Sequence, residues 1–133
     1  MKKDVLIQAA MTALVDSGIA VNDSAPKAYN GAIASFGASL IKSGLLATLA
    51  IYNHDSGEAS RPKILRALYQ VLQTARPALR LPQVQHQEKA EEKLLKYALK
   101  QDKDQRYLLE TWLAEAAVAL KLALRTFKLE DNG

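Results

Sequence analysis

The sequence predicts an all-α fold, a compact single-domain bundle of five to six helices. Apolar residues recur at spacings of three and four through nearly every strong segment, which is the period of a helix. Two β-branched runs joined by a turn would be needed for a hairpin, and the chain has none. A chain of 133 residues is a usual size for one domain with one core. We therefore expect residues 1–133 to form a single all-helical domain.

The first helix is predicted over residues 3–16, and Gly18 ends it. A second helix is predicted to start near Asp23 and Ser24, which are good capping residues, with Pro26 in its first turn. Its apolar face contains Tyr29, Ile33, Phe36 and Leu40.

Residues 28–52 have helical apolar spacing and only one charged side chain, Lys42. Ser43-Gly44 either kinks this segment or ends one helix before another starts at Leu45 and runs to Asn53. A solvent-facing helix of this length would carry many charges. We therefore expect most of the segment to be covered by the protein's own helices, by another subunit, or by both.

In the second half, Ser60 is predicted to cap a helix that Pro62 begins and Pro77 stops. Residues 78–85 are predicted to be an irregular connection. A helix follows over residues 87–100. The residues of these two helices expected to face inward are Ile64, Leu68, Val71, Ala75, Leu94, Leu95, Ala98 and Leu99.

Asp104 is predicted to cap the longest helix, from residue 107 to about residue 128. Leu109, Leu113 and Leu120 belong to its apolar stripe, and Trp112 and Val118 extend the apolar surface beyond that stripe. This helix is therefore expected to be central. The side chains of Tyr52, Tyr97 and Tyr107 lie near predicted helix ends, where a buried ring with a solvated hydroxyl is common.

The composition argues against catalysis and against a metal or cofactor. The chain has no cysteine, and its two histidines, His54 and His86, have no carboxylate at ligand spacing. Gly31 and Gly37 lie inside a predicted helix and do not form a phosphate loop. We expect no enzyme activity, no cofactor and no small-molecule substrate. The first residues lack a signal-peptide core and no segment is long enough to span a membrane, so a cytoplasmic location is expected.

The net charge of +4 is unevenly distributed, because residues 24–87 hold seven basic and two acidic residues. Lys121, Arg125 and Lys128 are predicted to form a stripe on the last helix, and Arg61, Lys63 and Arg66 form a second cluster. The stripe either covers the core and complements the helix dipole or binds phosphates, and the second cluster is either a solvated face or a phosphate site. In both cases the spacing alone favours the first alternative. No aromatic residue alternates with them as in a base-stacking surface.

Two segments resemble a known family. The run Ile41-Lys-Ser-Gly-Leu-Leu-Ala-Thr-Leu-Ala-Ile-Tyr52 resembles the signature of the small helical subunit of type III-B CRISPR–Cas (Cmr) effector complexes. The run Ala116-Ala-Val-Ala-Leu-Lys-Leu-Ala-Leu-Arg-Thr-Phe127 is similar to the last helix of that family. The sequence departs from the family at Ser43, where the family has asparagine, and at Arg125-Thr126, where it has paired basic residues.

The resemblance implies a non-catalytic subunit that acts in antiviral defence. Members of the family stack head to tail into a minor filament beside the backbone subunits and help to line the target-RNA channel. The implied partners are other CRISPR effector subunits, copies of the chain itself, and RNA as a guide–target duplex or target strand. The candidate RNA-binding residues are Lys42, Arg61, Lys63, Lys121, Arg125 and Lys128. The candidate core or subunit-contact residues are Ser43, Gly44, Leu45, Leu46 and Leu49.

A second hypothesis comes from a different functional class. The chain would be a helical adaptor that binds an amphipathic peptide or a protein partner in an apolar groove, with its charge incidental. A small DNA-binding regulator is disfavoured, because the helix after Ser43-Gly44 reads Leu45-Leu-Ala-Thr-Leu-Ala50 and is too apolar to read bases.

Overall fold

The structure, a computed structural model, describes residues 3–55 and 57–131. It confirms the predicted all-α bundle. Within these two ranges the chain forms six α-helices and a two-stranded parallel sheet. The elements in chain order are α1 (Lys3–Asp16), β1 (Ser24–Pro26), α2 (Ala28–Ser43), α3 (Leu45–Tyr52), α4 (Arg61–Ala75), α5 (Ala90–Lys100), α6 (Lys103–Leu124) and β2 (Lys128–Glu130). None of the described helices has the length and apolar character needed to cross a membrane.

The core lies between α1, α2, α4 and α6. Helix α6 packs against α1, α2 and α4, which confirms its predicted central position. Helix α5 covers α3 and α4 from the other side. Phe36, Leu49, Leu68 and Leu120 are each fully buried, one from each of four helices. Burial of such side chains is the main stabilising contribution to a bundle of this size.

Helix α4 begins and ends as its sequence predicts. The Ser60 hydroxyl accepts a hydrogen bond of 3.4 Å from the backbone N–H of Lys63, and Pro62 lies in the first turn. The helix ends at Ala75, before Pro77, which starts a short 3-10 turn. Capping hydroxyls and proline in the first turn suit the free N–H groups at a helix start.

Helix α6 begins earlier than predicted. Asp102, two residues before the expected cap Asp104, accepts a hydrogen bond of 2.9 Å from the N–H of Gln105. The prediction of Asp104 as the cap is therefore wrong. Asp104 lies in the first turn instead, where its negative charge favours the positive end of the helix dipole.

The Ser43-Gly44 break separates two helices. Gly44 has φ +87° and ψ 170°, a backbone conformation that favours glycine, so α2 ends at Ser43 and α3 begins at Leu45. The hydroxyls of Ser39 and Thr48 form a hydrogen bond of 2.7 Å across the resulting hairpin, and Thr48 is fully buried. This hydrogen bond joins α2 to α3 beyond the turn.

The sheet corrects two sequence predictions. Strands β1 and β2 pair in parallel with Ala25 opposite Leu129, where the sequence predicted no strand. The second helix therefore starts at Ala28, later than the predicted Asp23–Pro26 start.

The last helix also ends earlier than the predicted residue 128. It stops at Leu124, where the Thr126 hydroxyl donates a hydrogen bond of 2.7 Å to the Ala123 carbonyl. The Lys128 N–H then donates to the Asp23 carbonyl and the Lys27 N–H donates to the Glu130 carbonyl. The Thr126 hydroxyl helps to end α6, because serine and threonine hydroxyls compete with the hydrogen bonds of a helix.

The long apolar segment is covered on one side only. Tyr29, Ile33 and Phe36 are buried, as predicted, against the protein's own helices. The opposite side of α2 is exposed and contains the small or apolar residues Ala34 and Ala38, followed by Ile41, which is 88% exposed. The expectation that most of the segment is covered therefore holds for one face of it.

Helix α5 is shorter than predicted and begins at Ala90. Leu94 and Ala98 are buried and Leu95 is half-buried, as expected, but Leu99 is 53% exposed. The prediction that Leu99 faces inward is wrong. A helix packed on one side buries positions about four apart, here Leu94 and Ala98, so Leu99, which directly follows Ala98, faces solvent.

Candidate nucleic-acid interface

The candidate residues lie at two opposite ends of the bundle. Strand β1 precedes α2 and pairs with β2, which follows α6, so the start of α2 lies near the end of α6. Ser43 and Gly44, at the end of α2, lie beside Lys103 at the start of α6. The two helices are therefore antiparallel. We call the region around β1 and β2 the sheet end, and the region around Gly44 and the start of α6 the turn end. With 22 residues, α6 separates them by about 33 Å.

Three of the six candidate RNA-binding residues lie at the sheet end. Lys121 is half-buried on α6, while Arg125, the C-cap of α6, and Lys128 on β2 are exposed. Among the described residues, none of the three has a carboxylate oxygen within 4.0 Å. The prediction that they form one helical stripe is wrong for Lys128, because the helix ends at Leu124. They still share one end of the molecule.

Lys63 lies in a cleft of about 470 Å³ beside the sheet end. The Lys63 ammonium nitrogen is 3.8 Å from the position that a β-carbon on Gly18 would occupy. Asp55, Glu58 and Glu130 line the same cleft. Three carboxylates around one ammonium group give the cleft a negative balance, which disfavours a phosphate there.

Arg61 stacks on an aromatic ring. Its guanidinium carbon is 5.1 Å from the centre of the Tyr52 ring, a cation–π distance. Burial raises the pKa of Tyr52, and the nearby Arg61 charge opposes that rise. Arg61 is half-buried, so part of its side chain holds α4 against α3.

Arg66, the third member of that sequence cluster, is occupied within the fold. Its guanidinium donates two hydrogen bonds of 2.9 Å to the buried carboxylate of Glu91. Burial alone raises the pKa of Glu91, but the hydrogen bonds and charge of Arg66, with a backbone hydrogen bond and the charge of Lys89, outweigh it and hold the pKa below its usual 4.5. Arg66 therefore joins α4 to α5.

Lys42 lies at the turn end, away from the other candidates, and is exposed. The structure separates the predicted core or contact residues beside it into two groups. Leu45 and Leu49 are buried in the core. Ser43, Gly44 and Leu46 are exposed or half-buried and line an open cleft of about 430 Å³, which the buried Leu45 also borders.

The aromatic residue Tyr107 borders this cleft. Tyr107 is 72% exposed, whereas a buried ring was predicted. Tyr52 and Tyr97 are buried and half-buried, and their hydroxyls donate to the carbonyls of Ala32 and Leu79. At about 100° per residue, Tyr107 lies 200° around the helix from Leu109, outside the apolar stripe. This position was the feature of the sequence that indicated an exposed Tyr107 side chain.

No cluster of three or more histidine, aspartate or glutamate side chains suited to a metal ion occurs in residues 3–55 and 57–131. The candidate interface contains exposed cations and the exposed ring of Tyr107. Such groups bind phosphates and bases by charge and stacking.

A family model described as CRISPR-associated protein (Cas_Cmr5) matches residues 7–122. The chain belongs to this family. It is the family of the small subunit of type III-B Cmr effector complexes, which confirms the resemblance seen in the sequence. No curated protein matches the chain, and no solved structure matches it.

The matched range runs from α1 almost to the end of α6. It contains four of the candidate RNA-binding residues of this Cmr small-subunit family member, namely Lys42, Arg61, Lys63 and Lys121. Arg125 and Lys128 follow the matched range. The family match therefore does not bear on those two residues, and their exposure and charge are the observations that suggest a role for them.

Proposed function

We propose that the chain is a non-catalytic structural subunit of a type III-B CRISPR RNA-guided effector complex. It stacks with its own copies in a minor filament beside the backbone subunits, lines the target-RNA channel with basic residues and serves antiviral defence. The observation that carries this proposal is the family match over residues 7–122.

The exposed side of α2 supports the stacking role. Ala34 and Ala38 let another backbone approach closely, and Ile41 is 88% exposed. A head-to-tail stack needs two different faces on each subunit. The outer side of α6 offers a second apolar surface, with Val118 60% and Leu122 38% exposed.

The cations of the sheet end support the RNA-lining role. Arg125 and Lys128 are exposed and Lys121 is half-buried, with no ion pair among the described residues. Contacts of this kind bind phosphates without regard to sequence. Arg61 and Lys63 rank behind them, since one stacks on Tyr52 and the other lies among carboxylates.

Binding measurements at two salt concentrations test the RNA-lining role. Single-stranded RNA and an acidic amphipathic peptide are each titrated with the free protein and with the assembled complex. The proposal expects RNA affinity that falls steeply as salt rises. If neither the protein nor the complex binds RNA at low salt, the RNA-lining role is wrong. Tight peptide binding in its place would favour the adaptor hypothesis.

Sedimentation measurements over a range of protein concentrations test the stacking role. Ile41→Asp should weaken self-association and leave the melting temperature unchanged, because the side chain is exposed. Val15→Asp on α1, where the valine is 53% exposed, is the matched control and should change neither quantity. Equal effects of the two substitutions would exclude the α2 surface as the stacking face.

A further inference from the structure

We propose that the turn end contains a base-stacking site, in which the Tyr107 ring stacks on an unpaired base of RNA. This inference rests on the RNA-lining role proposed above and makes it more specific, since it assigns a single-stranded segment to one end of the bundle. Tyr107 did not belong to the residues that the sequence singled out as RNA-binding.

The first observation is the exposure of the ring together with the charge around it. Tyr107 is 72% exposed near the start of α6. Lys103 lies four residues earlier, on the same side of the helix, and both residues line the turn-end cleft. An aromatic ring beside a cation is the combination that single-stranded nucleic acid binds, because the ring takes the base and the cation takes the phosphate.

The second observation is the rigidity of this position. The Arg106 guanidinium donates hydrogen bonds of 3.0 Å to the carbonyls of Ala98 and Leu99, at the end of α5. These bonds fix the first turns of α6 against α5, and with them the backbone that carries Tyr107. A ring held on a rigid helix loses less conformational freedom on binding than one on a loop.

The third observation is the shape and lining of the cleft. Its volume of about 430 Å³ lies within the range of roughly 300–1,000 Å³ typical of small-molecule sites. Leu45, Leu46 and Ala47 give it an apolar wall. Gly44 has no side chain, and nothing lies within 4 Å of the position that its β-carbon would occupy. The cleft that Tyr107 lines is therefore open at Gly44.

The charge balance favours RNA over a protein segment as the occupant. The cleft lining contains two cations, Lys103 and Arg106, and one carboxylate, Glu110. Outside the lining, the exposed Lys42 precedes Ser43 and the exposed carboxylates of Asp102 and Asp104 flank Lys103, so the excess of positive charge is confined to the lining itself. An RNA strand supplies both a flat apolar base and a phosphate, which match the ring and the lysines together.

The test compares two RNA probes on the full-length chain. One is a short oligouridylate, and the other has the same backbone with abasic positions. Tyr107→Ala should weaken binding of the oligouridylate by about 5- to 150-fold, the range expected for one stacked base, and leave the abasic probe unaffected. Tyr107→Phe keeps the ring and should bind as the wild type does.

Glu110→Gln gives a second measurement that does not depend on the ring. Removing the one carboxylate from the lining should strengthen the binding of both probes at low salt. Unchanged binding would place the RNA elsewhere and contradict the proposal.

The other outcomes distinguish this inference from the proposed function. If the wild type and Tyr107→Ala bind RNA equally, the stacking site is wrong while the RNA-lining role stands. If the wild type binds neither probe, both proposals fall. If Tyr107→Ala reduces self-association and leaves RNA binding unchanged, the cleft is a contact between copies of the chain. Equal loss of both probes, or a lowered melting temperature, would also contradict stacking.

Discussion

The guanidinium of Arg66 and the carboxylate of Glu91 form two parallel hydrogen bonds of 2.9 Å that join α4 to α5. Glu91 is only 3% exposed, and its backbone carbonyl also accepts a hydrogen bond of 3.2 Å from the Asn53 side chain. One residue of α5 thus contacts the end of α3 and the middle of α4. The position of α5 depends on this pair together with the buried side chains of Leu94 and Ala98.

Arg66→Ala should lower the free energy of unfolding by about 2–3 kcal/mol, since it leaves the Glu91 carboxylate buried without its partner. This is less than the roughly 3–5 kcal/mol of fully buried pairs, because the Arg66 side chain is 40% exposed. Urea denaturation measures the change. The double variant Arg66→Met, Glu91→Leu is the control and should lose less than Arg66→Ala, because no buried charge remains. A loss below about 0.5 kcal/mol in Arg66→Ala would contradict this account.

The same pair predicts how stability changes with pH. The pKa of Glu91 is lowered in the folded protein, so ionised Glu91 stabilises the fold at pH values above its usual 4.5. This contribution is lost as pH falls below 4.5 through the folded-state pKa. The difference in unfolding free energy between the wild type and Glu91→Gln should therefore narrow in acid. A difference that stays constant or widens as pH falls would show that the carboxylate is not stabilised by Arg66.

Asp102 and Asp104 give a matched pair at the start of α6. Asp102→Ala removes the hydrogen bond of 2.9 Å to the Gln105 N–H and should cost about 1 kcal/mol of stability. Asp104→Ala removes only a favourable charge in the first turn and should cost about 0.3–0.5 kcal/mol. Thermal melting of both variants compares them directly. The reverse order would mean that Asp104, as the sequence predicted, and not Asp102 caps α6.

This pair also shows what the sequence could predict of the fold. The apolar period predicted five to six helices and the inward faces of α2, α4 and α6, because burial of one face is encoded locally. The cap of α6 was off by two residues and its first residue by four, since both aspartates are good caps. The sheet was missed for a different reason. Strands β1 and β2 have three residues each, and Ala25 and Leu129 pair across almost the whole chain, so no local pattern marks them.

The candidate interface was predictable only in part. The sequence identified the cations but not their separation. Lys42 lies about the length of α6 from Arg125, because α2 and α6 pack antiparallel. The exposed ring of Tyr107 was missed because the residue lies beside a predicted helix end, where tyrosines are often buried. Residue spacing shows on which side of a helix a residue lies, but not which neighbouring helix covers that side.

The Ser39–Thr48 hydrogen bond predicts a coupling between the two helices of the α2–α3 hairpin. Thr48→Val keeps the volume of a buried side chain but leaves the half-buried Ser39 hydroxyl without its partner, so it should cost about 1 kcal/mol. Adding Ser39→Ala should recover most of that loss. A double-mutant cycle by chemical denaturation measures the coupling. Additive losses in the double variant would mean that the two hydroxyls do not stabilise the hairpin together.

Charge reversal at the sheet end tests which cations bind RNA. Arg125→Glu and Lys128→Glu should each weaken binding to single-stranded RNA and lower the slope of log K against log salt by about 0.7, the value for one phosphate contact. The melting temperature should not change, because both side chains are exposed. Lys96→Glu on the exposed side of α5 makes the same change in net charge and is the matched control. Equal weakening by all three substitutions would show an effect of overall charge, and a fall in melting temperature would show that Arg125 and Lys128 cover the core instead.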